Sequence, residues 1–163
     1  MDPNTLQILK EIDVASNPTH ILADDYGDVY VLSNGNYYDV APVLQRINTQ
    51  SDVLAQSFDF NITNFTINRD LAYIYYYDYN TMRSQIKVLN VETESMVNEN
   101  FVSDGTQITT PYAIAVNPAN GDVYISDAYQ YTSNGDVYCF GSDGKMKFKF
   151  EAGLNPSKIV ILP

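Results

Sequence analysis

Along this chain, apolar and polar residues alternate in short runs, and the runs are cut by polar clusters such as Asp24-Asp25-Tyr26-Gly27-Asp28, Asn117-Pro118-Ala119-Asn120-Gly121-Asp122 and Ser142-Asp143-Gly144-Lys145. A two-residue period puts successive side chains on opposite faces of a strand, and clusters of Gly, Asn and Asp close hairpins because these residues tolerate left-handed backbone. No segment sustains a 3.6-residue period. The pattern therefore predicts an all-β chain without a helix of three turns between residues 18 and 162. It also predicts hairpin turns at Gly27, Gly121 and Gly144, at least two of them with positive φ.

The chain repeats itself. Gly-Asp-Val-Tyr occurs at Gly27–Tyr30, Gly121–Tyr124 and Gly135–Tyr138, and a frame of strand, turn and strand begins at Pro18, Ile62, Pro111 and Pro156. Those starts are 44, 49 and 45 residues apart, which matches a four-stranded blade of about 40 to 50 residues. The predicted inner strands cover 18–23, 62–67, 111–116 and 157–162. A second half-frame, Val43 to Leu54 and Ile86 to Val97, supplies the two outer strands. The second unit has Ile62 and Asn68-Arg69-Asp70 where the others have Pro and Gly, so a different turn is expected there. The reading is a β-propeller of four-stranded antiparallel blades: 1–14 as the outer strand of a preceding blade, whole blades at 15–60, 61–108 and 109–153, and 154–163 as the inner strand of a following one. Three blades with a lone strand at each end form an open arc, expected to be part of a longer propeller or to self-associate through its exposed blade faces.

These residues resemble the YVTN/YncE family of propellers, most sharply over Pro111–Ala128 followed by Asp136–Phe140. The stretch is similar to blades of surface proteins from Bacteroides-type bacteria. The resemblance implies a seven-bladed propeller in the cell envelope or outside the cell, and one such group captures cobalamin. It transfers no ligand residue.

Charge narrows the partners. Nine Lys and Arg against twenty Asp and Glu give a net charge of −11, which repels nucleic acid at long range. No apolar stretch is long enough for a membrane-spanning helix. The single cysteine, Cys139, lies in the apolar run Val137-Tyr138-Cys139-Phe140 and is read as a buried, inert thiol.

No catalytic constellation is present in the sequence. His20 is the only imidazole and has no nucleophile motif beside it. The carboxylates sit in turns, where hairpin geometry accounts for them, and no metal or cofactor is expected. Fourteen tyrosines without a tryptophan are the unusual feature. Tyr73, Tyr75 and Tyr77 share one strand face and are expected between blades, whereas Tyr38 (beside Tyr37), Tyr79, Tyr129 and Tyr131 fall in connections where rings could stack on a ligand. His20 and its frame equivalent Asn64 would line the inner channel. The expected function is a non-catalytic module binding a small molecule such as a cobamide, a glycan or a partner protein through His20, Asn64, Tyr38, Tyr79, Tyr129 and Tyr131. The alternative is a lactonase-type propeller enzyme with a metal in its channel.

Overall fold

The computed structural model describes residues 2–36 and 38–162; Tyr37 lies outside the described residues. Among these, twelve strands form three four-stranded antiparallel meanders. The first contains β1 (Pro18–Ala23), β2 (Val29–Ser33), β3 (Val43–Asn48) and β4 (Val53–Phe58). The second contains β5 (Asn64–Asn68), β6 (Leu71–Asp78), β7 (Arg83–Asn90) and β8 (Ser95–Asn98). The third contains β9 (Pro111–Val116), β10 (Val123–Asp127), β11 (Asn134–Phe140) and β12 (Met146–Leu154). The only helical element among the described residues is a single 3-10 turn, Tyr129–Tyr131. The first sheet belongs to the unit Met1–Asn61 and the other two to the unit Ile62–Pro163.

The turns follow the punctuation. Gly27, Gly121 and Gly144 have φ of 91°, 76° and 76°. In the first turn Asp24 Oδ1 accepts the amides of Tyr26 and Asp28 at 3.0 and 2.9 Å, an arrangement that short acidic side chains favour. The second unit does turn differently: Asn68 pairs directly with Leu71, and Arg69 takes the left-handed position at φ 53°. The third Gly-Asp-Val-Tyr makes no turn. Gly135 lies inside β11, where a Cβ would stand 2.4 Å from the Asp127 carbonyl oxygen and 2.7 Å from Pro156 Cγ. There glycine serves close approach, not chain reversal.

The aspartates of the tetrapeptide find cations within their own sheets. Asp28 pairs with Arg46, Asp122 with Lys147 at 2.5 Å and Asp136 with Lys149 at 2.5 Å.

In the second unit the two sheets pack face to face. Tyr73, Tyr75, Ile86 and Val88 of the second sheet and Val123, Ile125, Tyr138 and Phe140 of the third enclose Phe101 and Ile108 from the segment between them. The Phe101 ring meets Tyr73 edge-on at 5.3 Å and Phe140 at 6.1 Å. Burying a large apolar side chain contributes about 1.5–3 kcal/mol, so the tyrosine face of β6 works as core. Cys139 is fully buried as well.

The terminal stretches expected as lone strands lie outside the sheets: residues 2–17 and 155–162 pair with no strand. A strand needs a neighbour for its backbone groups, and no edge strand of the three meanders is paired with these segments. Pro156 is nonetheless anchored, its carbonyl accepting from Ser126 Oγ at 2.6 Å.

Candidate functional site

The β6–β7 and β10–β11 connections meet the start of β9 at one end of the second unit, and tyrosines gather there. The Tyr79 ring lies edge-on to Tyr77 at 4.8 Å, and its hydroxyl is 3.2 Å from that of Tyr131. Tyr131 in turn stands edge-on to Tyr112 at 5.3 Å. Beneath them the buried Tyr75 hydroxyl donates to the Tyr112 carbonyl at 2.9 Å, and Tyr77 reaches Met82 Sδ at 3.0 Å. Burial pushes the hydroxyl pKa values of Tyr75 and Tyr131 up, and for Tyr131 the Tyr79 hydroxyl adds to the effect. These phenols stay neutral and can both donate and accept.

A β-bulge and a strained turn create this arrangement. In β9 the ladder skips from Pro111, opposite Asp127, to Ala113, opposite Ser126, which leaves Tyr112 outside the register. The same irregularity in β1 falls between Pro18 and His20. Next to the β9 bulge, Tyr129, Gln130 and Tyr131 have φ of 43°, 57° and 65°. The left-handed region costs a non-glycine residue about 1–2 kcal/mol, so three in succession require strong local support. Asp127, fully buried, supplies it: Oδ1 accepts the amides of Thr110 and Tyr129 at 2.8 and 2.9 Å, and Oδ2 accepts that of Thr109 at 2.5 Å. Thr110 Oγ1 accepts from the Gln130 amide at 3.0 Å. Strain of this kind clusters at functional sites.

Of the expected residues, the structure brings Tyr79 and Tyr131 together. Tyr129 shares the turn of Tyr131 but points elsewhere, its hydroxyl 2.7 Å from Asp136 Oδ2 and 2.8 Å from the Tyr138 hydroxyl. Lys149 and the Tyr129 hydroxyl lower the Asp136 pKa, and burial raises that of Tyr129. Asn64 sits opposite Tyr75 in β5, with Oδ1 accepting its neighbour's amide, Phe65 N, at 2.8 Å. His20 and Tyr38 belong to the first unit and are exposed. His20 Nδ1 lies 3.3 Å from Thr19 Oγ1, and Tyr38 projects 93% exposed from a loop that Asn36 Oδ1 ties by accepting three amides. His20, Asn64 and Ala113 do occupy equivalent ladder positions, opposite Leu32, Tyr75 and Ser126.

Sequence reasoning missed Tyr112, Asp127 and Thr110. A signal existed for Asp127: an aspartate ending a strand, with a pair of threonines ahead of the preceding strand, is a ready carboxylate-to-amide bracket. Among the described residues no three His, Cys, Asp or Glu side chains are grouped so as to hold a metal ion, and no helix is long and apolar enough to cross a membrane.

No family model and no curated protein matches this sequence. Solved structures do match it in shape. Hydrazine synthase from Kuenenia stuttgartiensis superposes with a TM-score of 0.71 at 14% identity, over 92% of this chain and 41% of that one. The β-propeller domain of the Trilobed protease from Pyrococcus furiosus, described as having an open velcro topology, gives 0.56 at 12% identity, over 85% and 44%. A quinoprotein alcohol dehydrogenase-like protein from Bacteroides thetaiotaomicron gives 0.50 at 15% identity, over 82% and 33%. At these identities the likeness shows the fold alone: the three meanders are blades of a β-propeller, and the chain spans less than half the length of each of these proteins.

Proposed function

We propose that the chain is a non-catalytic binding part of a YncE-like propeller of the bacterial cell envelope, presenting Tyr79, Tyr112 and Tyr131 to a ring-bearing small molecule, a glycan or a cobamide. The observation that carries this reading is the tyrosine cluster beside a turn held in three successive left-handed residues. Aromatic edges and faces stack on sugar or corrin rings, and neutral phenols hydrogen-bond them without paying to desolvate a charge. A metal-dependent lactonase reading gains no support from the described residues, which contain no convergent ligand set.

Because the chain has no tryptophan, its emission is the sum over fourteen tyrosines, and a ligand-induced change is assigned to the site by its loss in the Tyr79 and Tyr131 variants. Neutral oligosaccharides, and by calorimetry cobamides, are titrated into the wild type, Tyr79→Ala and Tyr131→Ala. One lost ring contact of about 0.5–1.5 kcal/mol weakens binding roughly two- to tenfold. Failure of both ligand classes to saturate the wild type, or indifference to both substitutions, defeats the proposal.

Self-association belongs to the same reading. Met146, Phe148 and Phe150 alternate on β12 at 41%, 48% and 50% exposure, an apolar stripe suited to another sheet. Sedimentation should show reversible association that Phe148→Lys abolishes.

A further inference from the structure

Two tyrosines that lie 52 residues apart in the chain stand with their hydroxyls in contact. Tyr79 follows β6, Tyr131 closes the turn before β11, and their phenolic oxygens are 3.2 Å apart. Both connections are fixed from within. Beside Tyr79, Asp78 Oδ1 accepts the Asn80 amide and Oδ2 the Thr81 hydroxyl, each at 2.8 Å. Tyr131 N–H donates to the Ala128 carbonyl at 2.8 Å, in the turn that Asp127 brackets. Solutes reach the pair, since Tyr79 is 60% exposed and Tyr131 half-buried.

A second tyrosine pair lacks this freedom. The Tyr129 and Tyr138 hydroxyls are closer, 2.8 Å, but Tyr138 is buried inside β11 and the Tyr129 hydroxyl also reaches Asp136 at 2.7 Å. Close packing holds the Tyr138 ring in place, whereas the exposed Tyr79 ring has room to turn an ortho carbon toward its partner.

We propose that Tyr79 and Tyr131 form a dityrosine cross-link when the protein meets a one-electron oxidant, such as a peroxidase acting with hydrogen peroxide. Each phenol gives one electron to the oxidant and its hydroxyl proton to water, leaving a phenoxyl radical with spin on the carbons ortho to oxygen. The two radicals join through a C–C bond between ortho carbons. The hydrogen on each of those carbons then moves through solvent to oxygen and restores the phenol. The net change is the loss of two hydrogen atoms and the reduction of two equivalents of oxidant. The product is an ortho-linked biphenol, whose hydroxyls sit side by side as those of the pair already do. It ties the β6–β7 connection of one blade to the β10–β11 connection of the next, and it forms without a ligand, so it stands apart from the binding reading.

The whole chain is oxidised in dilute solution by flash-generated ruthenium(III) tris-bipyridine, a small one-electron oxidant, and the monomer is recovered and digested. The expected product is a monomer lighter by two hydrogen atoms, with dityrosine emission and a cross-linked peptide pair that joins Tyr79 to Tyr131. Its yield per chain holds on about tenfold dilution, because partners held in contact react intramolecularly. Closing a loop of 52 residues restricts the unfolded chain, so the linked monomer melts about 8 °C above the unlinked one. These measurements use unaltered protein. Tyr79→Phe and Tyr131→Phe keep the ring, remove the oxidisable hydroxyl and abolish the intramolecular product, whereas Tyr38→Phe, which deletes a phenol 93% exposed in the first unit, leaves it. A monomer without the Tyr79–Tyr131 link, a yield that falls with dilution, intramolecular dityrosine undiminished in either variant, or a linked chain that melts no higher than the unlinked one overturns the proposal.

Discussion

Asp127→Ala tests the bracket beneath the tyrosine cluster. The substitution strands three amides, those of Thr109, Thr110 and Tyr129, which the carboxylate now accepts at 2.5 to 2.9 Å. A buried donor left without a partner costs about 1–3 kcal/mol, so three of them make a gross loss of about 3–9 kcal/mol. Relaxation of the left-handed turn returns about 1–2 kcal/mol for each residue that escapes. A net destabilisation of about 3 kcal/mol is expected, or a fall in Tm of about 6–12 °C for a chain of this size. Asp127→Asn keeps one oxygen at the position shared by Thr110 and Tyr129 and turns an NH2 toward the Thr109 amide, so it should cost about 1–2 kcal/mol. Urea denaturation followed by tyrosine emission measures both. An alanine variant within about 1 kcal/mol of wild type, or an asparagine variant as damaged as the alanine one, refutes the bracket.

Three further outcomes follow from the geometry. Gly121→Ala meets no atom within 4 Å and should cost only its backbone strain of about 1–2 kcal/mol, whereas a Cβ at Gly144 would stand 1.8 Å from the Phe101 carbonyl oxygen and should cost clearly more by thermal melt. Asp104 has its pKa lowered to about 2, first by the Met146 amide and then by that of Thr106. A depressed carboxylate stabilises above its unfolded pKa and loses that contribution as pH falls through the folded one, so the stability gap between wild type and Asp104→Ala should narrow from about pH 4 to pH 2. Cys139 is buried and its thiol pKa is raised by that burial; a disulfide reagent should react with it only at the rate of unfolding.

Legibility varied with how local the cause was. Inner strands at 18–23 and 111–116 could be placed to the residue because alternation and a glycine turn are written side by side there. The third Gly-Asp-Val-Tyr differs from the other two, since the same four residues lie inside β11, with Gly135 packed against Pro156, twenty-one residues on in the chain and close in space only after folding. The left-handed turn at Tyr129–Tyr131 carries no glycine and depends on a carboxylate meeting amides seventeen and eighteen residues back, so no local rule finds it. Tyr79 and Tyr131 were legible as loop tyrosines, but their contact across 52 residues was not.

The paired aspartates of the repeat bear on how such a chain can grow. Asp28, Asp122 and Asp136 each meet a lysine or arginine of the same blade. A blade that balances these charges internally can be duplicated, inserted or deleted as a cassette without leaving a neighbour holding an orphaned ion. Recombination by whole repeats is thus electrostatically neutral at these positions, and lengthening the gene need not await compensating substitutions there.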